Sequence, residues 1–232
     1  MDISNWENYY KLEPVPGGDA LSVTSNLLYT PKINLEKTTM CMSWDASDPY
    51  QDQINRTYYT NDLVKEFFQR EVKYFTTFKD YSWAPTLIDI DEKKQQIFFE
   101  FPGYTCNNII YGKQDRLEEY ASDWKSQIKE VLTDIVDAGY YKMTLYPHCF
   151  FFHNGKLKTF DFYACIERSN PYLSEETIKG LRGKESGFRF IEALSDGIID
   201  FDIFFKQSLK KHVVWPDNVL LDFYNEYFGK DD

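Results

Sequence analysis

Between Gly139 and Phe162 the chain reads GYYKMTLYPHCFFFHNGKLKTFDF, which gathers Lys142, His148, Cys149, His153 and Asp161 into one short stretch. A cysteine beside a histidine suggests a thiol nucleophile with an imidazole base, and two histidines flanking a cysteine suggest a metal site. Both readings meet the same geometric objection. If Phe150 to Phe152 is extended, His148 and His153 have opposite parity, and the adjacent His148 and Cys149 face apart. Asp161 ends the segment, where it serves either as a turn-capping carboxylate or as a ligand-binding one. Far upstream, Glu71 falls inside the apolar stripe Leu63, Phe67, Tyr74, Phe75 and Phe78. An acid there needs a partner or a task, and an ion pair at the stripe's edge is the simpler account.

The elements that must position these groups are legible from periodicity. NDLVKEFFQREVKYFTTF, residues 61–78, predicts an amphipathic helix, and SDWKSQIKEVLTDIVD, residues 122–137, predicts another with Trp124, Ile128, Val131, Leu132 and Ile135 on one face. Strands are expected over 37–44, 83–89 and 96–101, the last two joined by a charged turn and followed by Pro102 and Gly103. Phe150 to Phe152 and Leu157 to Phe162 form a hairpin about the signal His153, Asn154, Gly155 and Lys156. Two aromatic-rich helices close the chain near 199–209 and 217–228.

This order of elements, with its few matching letters, resembles the protein-kinase-like fold in the compact style of small microbial and aminoglycoside kinases. Laid on the kinase pattern H-x-D-L-x-x-x-N and D-F-G, Leu145 and Pro147 match the loop, and Asp161, Phe162 and Tyr163 fall at D-F-G. The catalytic letters are replaced: Lys142 stands at the loop histidine, Thr144 at the catalytic aspartate and Cys149 at the metal-binding asparagine. Threonine cannot accept a proton as a carboxylate does, and a thiol is a poor magnesium ligand. The strand that should supply a lysine offers Met42, Ser43 and Trp44, with Lys37 at its wrong end. The resemblance implies that Glu71 is the third-helix glutamate, that Phe99, Glu100 and Phe101 are the adenine-binding hinge, and that Asp161 holds magnesium on ATP. The turn Pro16 to Ala20 lacks a phosphate-cradling glycine pattern, whereas 180–189, with three glycines and three basic residues, reads as an anion-binding loop or a solvated surface loop.

The expected architecture is therefore α+β and bilobal: a β-rich N-lobe with one helix over 1–103 and a helical C-lobe over 104–232, forming one compact domain. The expected role is a pseudokinase, a non-catalytic binding or regulatory module with at most weak ATP and magnesium binding and a protein partner. The alternative is an atypical phosphotransferase in which Lys142 or His148 replaces the missing groups. A net charge of −11 and a pI near 4.8 oppose nucleic acid and anionic membranes. No run reaches transmembrane length and the N-terminus lacks a signal-peptide pattern, so a cytoplasmic protein is expected. Four cysteines without a C-x-x-C pair fit buried thiols in a reducing compartment. Phrases such as YYKMTLYPHCFF and KTFDFY also resemble proteins of marine bacteriophages of photosynthetic bacteria. That resemblance implies an infected host cytoplasm and a host protein as partner.

Overall fold

The computed structural model describes residues 30–34, 38–44, 61–113, 116–162, 165–169, 201–211 and 215–229. Lys37, Tyr163, the turn Pro16 to Ala20 and the basic loop 180–189 lie outside the described residues, as does the side chain of Leu63.

A four-stranded antiparallel sheet comes first, in the order β1-β2-β4-β3, built from β1 (Thr30–Asn34), β2 (Thr39–Ser43), β3 (Leu87–Asp91) and β4 (Gln96–Glu100). Every residue of β2 is buried, so both faces of that strand are covered. Alternation sorts its side chains: Met40 and Met42, with Ile97 and Phe99 of β4, enter the main core, while Cys41 and Phe98 meet Ile88 in a small separate cluster. The expected strand over 83–89 is instead β3, set later because the chain turns at 81–84, where Ala84 N–H bonds Tyr81 O at 3.0 Å.

Helix α1 (Asn61–Phe78) has the bounds that its periodicity predicts. Phe67, Phe68, Tyr74, Phe75 and Phe78 are buried along it, and Glu71 lies among them with 0% exposure. Each such aromatic contributes about 1.5–3 kcal/mol on burial, which is what fixes the helix against the sheet and the segments that follow. Phe75 meets Phe99 at 5.5 Å between ring centroids and Phe162 at 5.6 Å.

Beyond Pro102 a π-helical turn (Asn108–Lys113) and a 3-10 turn (Leu117–Glu119) lead into α2 (Trp124–Asp137). Strand β5 (Tyr140–Lys142) pairs antiparallel with β8 (Cys165–Glu167), and β6 (Phe150–His153) pairs with β7 (Lys156–Thr159). The β6–β7 turn is the expected two-residue one, with φ of 53° at Asn154 and 73° at Gly155, the left-handed pair that an Asn-Gly turn supplies. The second hairpin strand ends at Thr159 rather than Phe162, because Asp161 has φ 67° and turns the chain out of the ladder. Gln127 of α2 clasps this hairpin, donating from Nε2 to Gly155 O at 3.1 Å and accepting from Leu157 N–H at 2.7 Å. Helices α3 (Phe201–Lys211) and α4 (Val219–Tyr227) close the chain and contact each other, with α4 against α2.

The four-stranded sheet and α1 thus precede Pro102 and the helix-to-helix contacts follow it, yet apart from the Cys41 and Phe98 cluster the buried apolar side chains on both sides form one continuous core. No helix among the described residues is long and apolar enough to cross a membrane.

Candidate functional site

Three segments meet behind the hairpin: the middle of α1, the stretch Lys142 to Cys149, and the turn Phe160 to Phe162. Extended backbone from Lys142 to Thr144 puts the two side chains on one face, and that face is turned inward. Lys142 is fully buried, and its Nζ donates to Thr144 Oγ1 at 2.6 Å, Phe160 O at 2.7 Å and Asp161 O at 2.8 Å. Those three bonds use all three ammonium protons. Thr144 Oγ1 also donates to Asp161 O at 2.6 Å, and the ammonium lies 4.9 Å from the Phe162 ring centroid. Lys142 and Thr144 are therefore partners in one buried network that clamps the backbone of the Asp161 turn.

Glu71 clamps the same turn from the other side. Both of its oxygens accept from Phe162 N–H, at 2.8 and 2.7 Å. Burial, and after it the nearby Asp161 charge, push its carboxyl up to about 8, against the opposing pull of the Phe162 amide and Lys142. An edge-of-stripe ion pair does not describe this residue: its hydrogen bonds go to backbone, and the cation whose charge acts on it is Lys142 at the end of β5, not a lysine of β2. Arg70 and Lys73, its helix neighbours, reach past it to Cys165 O at 2.8 Å and to the Glu167 carboxylate.

Asp161 is 2% exposed. Cys149 Sγ donates to its Oδ2 at 3.2 Å, and burial, then the Asp161 charge, hold that thiol well above its ordinary range. His148 stacks on Tyr146 with ring centroids 5.3 Å apart. His148, Cys149 and Asp161 bring one donor atom each within 4.8 Å of one another. The objection that adjacent residues face apart fails here because Pro147 to Cys149 is a 3-10 turn, not a strand. Proline at its first position is the sequence signal for that turn. His153 goes elsewhere, with Nδ1 3.6 Å from a Glu100 oxygen.

The fold thus brings Glu71, Lys142, Thr144, Cys149 and Asp161 together, and adds His148. The hinge candidates Phe99 and Phe101 reach this group only through apolar packing, with ring centroids 5.6 and 6.4 Å from that of Phe160. Phe99 is buried within β4, and the backbone donors of the next two residues are already engaged, Glu100 N–H with Thr86 O at 3.0 Å and Phe101 N–H with Thr38 O at 2.7 Å. Phe101 and Phe99 rest on Phe151 of β6, with ring centroids 5.1 and 6.2 Å apart, so phenylalanine fills the space between β4 and the hairpin. Magnesium does not fit at Asp161: the ion wants hard oxygen donors in an octahedron, and one carboxylate beside a thiol and an imidazole does not supply them.

Comparison with known proteins gives likeness of fold alone. No family model matches the chain, and no curated protein matches it. A solved structure of the bifunctional kinase-methyltransferase WbdD superposes with a TM-score of 0.50 at 13% identity, covering 96% of this chain and 47% of that one. A monomeric WbdD gives 0.48 at 11% identity, covering 94% and 48%, and a co-crystal of WbdD with a kinase inhibitor gives 0.46 at 14%, covering 88% and 44%. The chain spans about half the length of these structures. The chain mixes helices and strands, an α+β fold, and is similar in fold to this kinase-containing protein.

Proposed function

We propose that this chain is a degenerate kinase-like domain that works as a non-catalytic binding or regulatory module with a protein partner. The observation that carries this reading is the Lys142 network. A phosphotransferase needs an ionised base at the Thr144 position and a hard-oxygen metal site at Cys149 and Asp161. Here the first position donates to a backbone carbonyl and the second holds a thiol against the carboxylate. Electrostatic stabilisation supplies most of the rate in phosphoryl transfer, so losing the base, the metal donors and the strand lysine together removes its source.

The correspondence with the kinase part of WbdD, rather than its methyltransferase part, belongs to this reading and is supported by element order: strands and one helix, then a turn at Pro102, then helix, hairpin and the Asp161 turn. A bilobal arrangement hinged near Pro102 to Cys106 belongs to it as well. The strongly acidic surface favours a basic or neutral protein surface over nucleic acid, and the resemblance to phage proteins suggests a host protein in an infected cytoplasm.

The test is turnover of labelled ATP with magnesium, alone and with generic protein acceptors. The expected result is no phosphate transfer or release above the protein-free control. Transfer that disappears in Lys142→Met or His148→Gln would instead establish an atypical phosphotransferase with those residues as replacements.

A further inference from the structure

We propose that His148, Cys149 and Asp161 form a binding site for a zinc-class transition-metal ion, in place of the magnesium site that the fold's usual chemistry would require. The donor set is one imidazole nitrogen, one sulfur and one carboxylate oxygen, a combination that suits zinc or cobalt and disfavours magnesium. All three residues are buried and their donor atoms lie within 4.8 Å of one another. Zinc bonds of about 2.0 Å to nitrogen or oxygen and about 2.3 Å to sulfur put tetrahedral ligands about 3.3–3.6 Å apart. The Cys149 Sγ to Asp161 Oδ2 distance is 3.2 Å, so that edge is already formed, and the imidazole nitrogen, within 4.8 Å of both, closes by up to about 1.5 Å to reach ligand spacing.

The surroundings hold the donors in place. Pro147 begins the 3-10 turn that presents His148 and Cys149 on one side, and Tyr146 stacks on the imidazole at an interplanar angle of 8°. Lys142 and Thr144 grip the Asp161 carbonyl, which fixes where its carboxylate points. On metal binding the Cys149 proton that now bridges to Asp161 leaves to solvent as the sulfur–metal bond forms. Three protein donors leave a coordination position for a water or another oxygen. Nucleotide plays no part, so this inference stands or falls separately from the proposed function.

The experiment is titration of cobalt(II) into the full-length chain after dialysis against a chelator, read by the ultraviolet thiolate-to-cobalt band and the visible d–d absorption. One cobalt per chain with a thiolate band is expected, displaced by stoichiometric zinc and untouched by a large excess of magnesium. The band should vanish in Cys149→Ser, weaken in His148→Gln and persist in His153→Gln. Absence of the band in the wild type, its survival in Cys149→Ser, or its displacement by magnesium would overturn the proposal. If Cys149→Ser does not fold, X-ray absorption on the cobalt-loaded wild type decides instead. One sulfur and one imidazole donor would support the site, and an all-oxygen shell would overturn it.

Discussion

Replacing Glu71 with glutamine isolates the energetic consequence of burying a carboxyl at the centre of the molecule. In the folded chain this group holds its proton up to about pH 8, against 4.5 ordinarily. Between those values the folded state binds one proton that the unfolded state has released, so stability falls as pH rises across the window. Each pH unit is worth about 1.4 kcal/mol, which makes the whole interval an upper bound of about 5 kcal/mol. The chain's pI of about 4.8 invites aggregation in the lower part of the window, so the practical range is pH 6 to 8, worth about 2 kcal/mol because the folded group is half titrated at its upper end. Glu71→Gln keeps an oxygen to accept the Phe162 N–H and cannot ionise. Urea unfolding of both proteins at half-unit steps, with unchanged slopes, gives the difference directly. The variant should be the more stable of the two by about 2 kcal/mol at pH 6 and by about 4 kcal/mol at pH 8. Parallel curves from pH 6 to 8 would refute the reasoning, because they would mean the carboxylate is ionised in the fold throughout.

Other perturbations follow from the same contacts. Lys142→Met leaves two backbone carbonyls and a hydroxyl without their ammonium partner and should cost about 3–5 kcal/mol in urea unfolding; a cost below about 1 kcal/mol would mean the network is dispensable. Gln127→Ala removes both bonds of the helix-to-hairpin clasp and should cost about 1–3 kcal/mol, chiefly through the buried Leu157 N–H, with faster amide exchange there as the local sign. All four cysteines are buried and none is in a disulfide, so a thiol reagent should label none of them quickly in the native protein and all of them in denaturant; rapid native labelling would contradict the placement of Cys149 and Cys165.

What the sequence discloses and what it conceals divide along physical lines. Helix α1 was legible because a long 3.6-residue pattern fixes type and bounds together, and the Asn154-Gly155 turn because few dipeptides tolerate two left-handed residues. Glu71 stood out as an acid in an apolar stripe, but its partner did not, since that partner is a backbone amide far along the chain and no residue letter encodes it. Lys142 and Thr144 read as losses when matched against a pattern of letters. Their shared parity was the signal that they point the same way, and only the tertiary fold supplies the Asp161 carbonyl they meet. Extended-chain parity hides the convergence of His148 with Cys149, because the chain turns at Pro147. The ribbon of β5 with β8 is not legible in the sequence because three-residue strands carry too little periodicity to register.

We propose that the buried network of Lys142, Thr144, Glu71 and Cys149 around the Asp161 turn stands where a magnesium–nucleotide site would otherwise be. Calorimetric titration of ATP into the wild type and Asp161→Asn, with magnesium and with a chelator, tests it most directly. The account predicts no magnesium-dependent heat of binding in either protein. Magnesium-dependent binding to the wild type that disappears in Asp161→Asn would contradict it.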